Sequence, residues 1–96
     1  MSGSSRTSAD LDVRRRRVLF RAWHRGTREM DVLMGRFADA QIGTMSEVDL
    51  AEFERLIEAS DRDLFRWLTG EDEVPPHYDT ALFRRLRAFH DVPTHS

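Results

Sequence analysis

The sequence predicts an all-α fold, a small five-helix bundle, and three observations carry that prediction. Five segments repeat apolar residues at the i, i+3, i+4, i+7 spacing of a helix, and none reads as strand. Residues able to cap a helix, together with isolated glycines and prolines, separate the segments. The chain has 96 residues, 40% hydrophobic and 33% charged, which suffices for one small core and not for two.

The elements follow in order. Asp12 can cap a first helix over about 13–24 that buries Val18, Leu19, Ala22 and Trp23, and Gly26 ends it. Thr27 is the expected N-cap of the second helix, with Glu29 and Asp31 in its first turn, where carboxylates favour the positive end of the helix dipole. Met30, Leu33, Met34, Phe37, Ala38 and Gln41 form its inner stripe, and Gly43 is the expected stop. Ser46 and Asp49 form a capping box for a third helix with Leu50, Phe53, Leu56 and Ile57 inward. Ser60 and Asp63 repeat the device for a short fourth helix carrying Leu64, Phe65, Trp67 and Leu68, which ends at Gly70. The prolines of "EDEVPP" exclude helix, after which Tyr78, Leu82, Phe83, Leu86 and Phe89 mark a fifth that stops before Pro93. The helical domain therefore spans 13–90. A polar tail over 1–12, expected to be disordered, and a C-terminal tail over 91–96 flank it.

Composition narrows the function. Cysteine is absent, which suits a reducing compartment, and no stretch approaches the roughly 20 apolar residues of a membrane span. No apolar h-region follows Arg14–Arg17, so the expected location is the cytoplasm, without membrane contact. His24, His77, His90 and His95 show no metal-ligand spacing, and no Gly-rich loop follows a strand, so no metal and no standard nucleotide site is expected. Five short helices leave little concavity to shield a nucleophile, and the chain reads as no enzyme. The net charge of −2 is uneven: residues 1–44 carry nine Arg against five acids, and residues 45–96 six Arg against twelve. The Arg14–Arg17 run reads either as a solvated helix start or as a surface for an acidic or phosphate-bearing partner.

One stretch, "WHRGTREMD", holds more chemistry than a helix junction needs. Gly26 as a helix stop, Thr27 as a cap and Glu29 at the dipole explain three residues. Arg25 and Arg28 gain nothing from such a junction, since a cation in a first helical turn faces the positive end of the dipole. With Trp23 and Asp31 beside them and a Gly that lets a partner's backbone come close, these residues read as a contact surface: Trp23, Arg25, Gly26, Arg28, Glu29 and Asp31.

"LFRAWHRGTREMDVLMGRFADA" closely resembles the start of the succinate dehydrogenase FAD assembly factors, the flavinylation factors also called succinate dehydrogenase assembly factor 2. Their Arg-Gly-x-x-Glu signature is matched by Arg25, Gly26 and Glu29, and their acidic Asp-Leu-Phe-x-Trp-Leu segment by "DRDLFRWL" at 61–68. The resemblance covers about residues 14–90, and Arg62 stands where many bacterial relatives have Pro. It implies a five-helix bundle with no cofactor of its own that binds the flavoprotein subunit of succinate dehydrogenase, and in some bacteria that of fumarate reductase. Such a factor promotes covalent attachment of FAD to a His of that subunit and supplies no bond-forming group. Arg25 would pair with a partner carboxylate or polar backbone, Gly26 would permit close approach, and Glu29 would accept from partner donors. Binding would be transient and the factor monomeric. The competing reading, a small helical regulatory or nucleic-acid-binding protein with Arg14–Arg17 on phosphates, meets twelve acids in the second half and a pI of about 6.1.

The absence of a phosphate-cradling loop predicts a colourless protein. Titration of FAD followed by its fluorescence is expected to show no saturable submicromolar binding without a partner; such binding would overturn this expectation.

Overall fold

A computed structural model describes residues 10–90, and the expected tails therefore lie outside the described residues except for Asp10–Asp12. Five α-helices follow one another: α1 Val13–Trp23, α2 Arg28–Gln41, α3 Glu47–Glu58, α4 Asp61–Leu68 and α5 Ala81–His90. A 3-10 turn, Ile42–Thr44, extends α2, and no strand occurs among the described residues.

The caps follow the sequence closely. Asp12 accepts from the Arg15 N–H, Thr27 from Met30 N–H, and Ser46 and Asp49 exchange both bonds of a capping box. At Ser60 the hydroxyl accepts from Asp63 N–H without a return bond from the Asp63 carboxylate, so only half of that device forms. Thr80 caps α5, its Oγ accepting from Phe83 N–H at 3.1 Å. Tyr78 therefore precedes the fifth helix instead of opening it, and its ring lies 4.9 Å from that of Trp67. The expected stop at Gly43 does not form either. Gly43 lies inside the 3-10 turn, and positive φ occurs among the described residues only at Gly26 and Gly70.

One core joins all five helices. Val18, Leu19 and Ala22 of α1 meet Met34, Phe37 and Ala38 of α2, and Leu50, Phe53 and Leu56 of α3 complete a layer closed by Leu64 and by Leu82, Phe83 and Leu86. The Phe37 ring packs edge-on to those of Phe53, at 5.6 Å, and Phe89, at 5.5 Å. Burial corrects the inward placement of two aromatics: Phe89 is 43% exposed and Phe65 only half-buried. Gly35, buried in α2, sits under Trp23; a Cβ there would lie 2.2 Å from Cδ2 of the indole. This glycine lets α1 and α2 close against each other.

The first half of the basic run, Arg14 and Arg15, finds acidic partners within the chain. Arg14 pairs with Glu54 at 2.8 Å and Glu47 at 2.9 Å, and Arg21 with Glu58 at 2.9 Å, tying α1 to α3. Arg15 donates to the carbonyls of Ile42 and Met45, and Arg16 to that of Leu11. The Arg14 and Arg21 pairs keep about a third or more of each side chain exposed, so each contributes at most about 1 kcal/mol, whereas Arg15 is only 17% exposed. The uneven charge along the sequence is thus partly matched between neighbouring helices.

Gly35→Ala is expected to destabilise the protein by about 1–3 kcal/mol despite the higher helix propensity of Ala, because the rigid indole of Trp23 must move. Chemical denaturation checks this, and a stabilised variant would contradict the packing described.

Candidate functional site

The corner between α1 and α2 is built by two clasps. After Trp23 the chain turns through His24–Thr27 with Gly26 at φ +120°, a conformation that other residues adopt only under strain. From one side, Oδ1 of Asp31 accepts the backbone N–H groups of Arg25 and, at 3.3 Å, Gly26. From the other, the Arg25 guanidinium reaches the end of α3 and the start of α4. Its Nε donates to Asp61 Oδ1 at 2.8 Å, and its terminal nitrogens donate to the carbonyls of Ala59, at 2.6 Å, and Ile57. Only 7% of the Arg25 side chain is exposed. The expectation that the fold takes nothing from Arg25 is therefore corrected: a guanidinium presents divergent donors, and the carbonyls left open where α3 ends accept them.

The six candidate residues divide into two groups. Trp23 is buried against Gly35, with its indole N–H 3.5 Å from Asp39 Oδ1. Trp23, Arg25 and Asp31 thus build the corner. Gly26, Arg28 and Glu29 are exposed on it, and among the described residues the side chains of Arg28 and Glu29 make no hydrogen bond or ion pair. A Cβ placed at Gly26 would meet nothing within 4 Å.

Beside this corner runs a groove of about 970 Å³ between α2, α4 and α5, which corrects the expectation of little concavity. Val32 and Leu33 of α2 and Phe65 and Leu68 of α4 supply its apolar surface, and Arg28, Glu29, Arg87 and His90 supply its polar one. His90 donates from Nε2 to the Leu33 carbonyl at 2.6 Å. Burial holds the His90 imidazole below its ordinary pKa, and the nearby Arg36 lowers it further against that hydrogen bond. His90 is therefore mainly neutral at pH 7, and the arginines and Glu29 carry the charge of the groove. Arg87 donates to the Trp67 carbonyl at 3.2 Å. Sequence reasoning treated Phe65 and Leu68 as core and overlooked Val32, Arg87 and His90. The available signal was the short α4, which has more large apolar side chains than one buried face of eight residues can hold.

The two sequence motifs, about thirty residues apart, thus meet twice: Arg25 binds Asp61, and Glu29 shares a groove with Phe65 and Leu68. Among the described residues no cluster of acidic or His side chains could hold a metal, and no helix is long and apolar enough to cross a membrane.

Comparison with known proteins agrees with this convergence. A family model described as flavinator of succinate dehydrogenase matches residues 16–90. The chain is similar to the FAD assembly factor SdhE of Acetobacter pasteurianus, 40% identical over 85 residues that cover 88% of this chain and 78% of that protein. It is also similar to the mitochondrial succinate dehydrogenase assembly factor 2 of Danio rerio, 33% identical over 86 residues, 88% of this chain and 54% of that one. That of Dictyostelium discoideum is 29% identical over 79 residues, 82% of this chain and 56% of its own length. The chain thus spans about half the length of the mitochondrial relatives. A family match that takes in both motifs, most of α1 and the whole of α2 to α5 places the chain plainly: it belongs to the flavinators of succinate dehydrogenase.

Proposed function

We propose that the exposed corner Gly26–Glu29 is where this chain engages the flavoprotein subunit of succinate dehydrogenase to promote covalent attachment of FAD. By family the chain is a flavinylation and assembly factor of that enzyme. The observation that carries the site assignment is the pair of unpartnered charges, Arg28 and Glu29, beside a Gly with open space above it. A surface charge with no internal partner loses nothing of the fold when a partner takes it. A corner already fixed by Arg25 and Asp31 has little conformational freedom left to lose on binding.

In this reading Gly26 admits partner backbone, Glu29 accepts from partner donors and Arg28 meets a partner carboxylate. Trp23, Arg25 and Asp31 hold them in place, since the donors of Arg25 are already engaged within the chain. The bond-forming groups belong to the flavoprotein. Positioning a reactive His against the flavin contributes several kcal/mol without any chemical group from the factor. The chain then acts as a non-catalytic chaperone without a cofactor of its own, as a cytoplasmic monomer, with the fumarate reductase flavoprotein as a second substrate of the same corner.

Glu29→Ala is expected to leave the melting midpoint nearly unchanged, because it removes only a helix-dipole contact worth a few tenths of a kcal/mol. Covalent FAD on the flavoprotein should fall sharply in cells lacking the native factor. Gly26→Arg should lose flavinylation as well, with about 1 kcal/mol of destabilisation from the strained φ. Normal flavinylation by a stably expressed Glu29→Ala protein would overturn the site assignment.

A further inference from the structure

We infer that the groove between α2, α4 and α5 is the second half of that docking surface and receives an apolar side chain from a mixed-charge segment of the flavoprotein subunit. The inference rests on the corner being the docking site. The groove begins at the corner itself, since Arg28 and Glu29 line it, so a partner touching Glu29 has the apolar surface directly in its path. Val32, Leu33, Phe65 and Leu68 remain only half-buried on two neighbouring helices, and water in the groove has few partners along them. Large apolar side chains gathered in one concavity are what an interface anchor fills.

The charges define the occupant. Arg28 and Glu29 are adjacent, opposite in sign and unpartnered, so what binds presents an acceptor to one and a donor to the other, with an apolar group between them and α4. A protein segment meets all three demands. A phosphate polyanion would set its charge against Glu29, and a lipid tail offers Glu29 no donor. A second copy of this chain fits poorly. Its exposed Val13 and Phe20 lie on α1 among Arg16 and Arg17, which would meet Arg28 and Arg87 with like charge, and its exposed Val48 lies on α3 among Glu47, Asp49 and Glu52, which offer Glu29 no donor.

Val32→Gln and Leu68→Gln, made in the full chain, separate the groove from the corner. Dissociation constants for the purified flavoprotein subunit are measured beside Glu29→Ala, with melting midpoints and the solution mass of the free factor. Val32 lies half-exposed on a helix, where Gln is a good helix former, so that variant should melt near the parent. The expected result is at least about tenfold weaker binding for both groove variants, the scale of losing an interface anchor. Parent-like affinity for both beside a loss in Glu29→Ala would overturn the groove inference and leave the corner standing. Parent-like affinity in all three variants would overturn both. A parent factor that self-associates, with variants that cease to do so while binding the flavoprotein normally, would assign the groove to a second copy and overturn the inference.

Discussion

The Arg25 guanidinium ties the turn between α1 and α2 to the junction of α3 and α4, and the geometry of the exposed corner depends on it. A charge taken out of water is costly unless it is matched, and here Asp61 and two main-chain carbonyls match it. The same contacts satisfy carbonyls that the end of α3 leaves open. Asp31 closes the arrangement by holding the backbone N–H groups of Arg25 and Gly26. The residues of the signature therefore do different work. Arg25 turns inward and fixes the corner, while Gly26 and Glu29 are what the corner presents.

Packing sets the frame in which that clasp can form. Gly35 allows α1 to lie close on α2 through Trp23, the last residue before the turn, and so determines where the turn begins. The ion pairs between α1 and α3 orient the same helices but are solvent-exposed and individually weak. The partly buried Arg25–Asp61 pair differs from them in having little water to replace a lost partner, with the two side chains 7% and 25% exposed. Large apolar side chains that this frame does not cover, Phe65 and Leu68, line the groove next to Glu29.

Most of the fold was legible because local rules and the tertiary structure agree. Asp12, Thr27 and Ser46 cap the helices that their positions indicate, and the i, i+3, i+4 stripes of α2 and α3 point inward. Local rules failed where long-range contacts decided. Gly43 resembles a helix stop, yet the chain tightens into a 3-10 turn whose Ile42 is buried and whose carbonyl accepts from Arg15, 27 residues earlier. Tyr78 fits the period of the fifth helix but packs on Trp67 before that helix begins. At the site, the stretch from Trp23 to Asp31 stands out by its chemistry, and it folds into the corner between α1 and α2. Nothing in its spacing could tell that Arg25 turns toward residues 57–61, since that depends on how α3 and α4 come to lie beside α1. The groove was hidden for a related reason: three helices form it, and an apolar side chain on a short helix looks like core until its neighbours are placed.

The thermal unfolding midpoint of Arg25→Lys, measured beside its flavinylation activity, tests most directly whether Arg25 holds the corner or touches the partner. An ammonium on a single nitrogen cannot span Asp61 and the carbonyls of Ile57 and Ala59 together. If Arg25 acts as the clasp, the midpoint falls by roughly 10 °C, equivalent to about 2 kcal/mol in a domain of this size, and activity falls with it. An unchanged midpoint with flavinylation lost would contradict this and place the guanidinium on the flavoprotein.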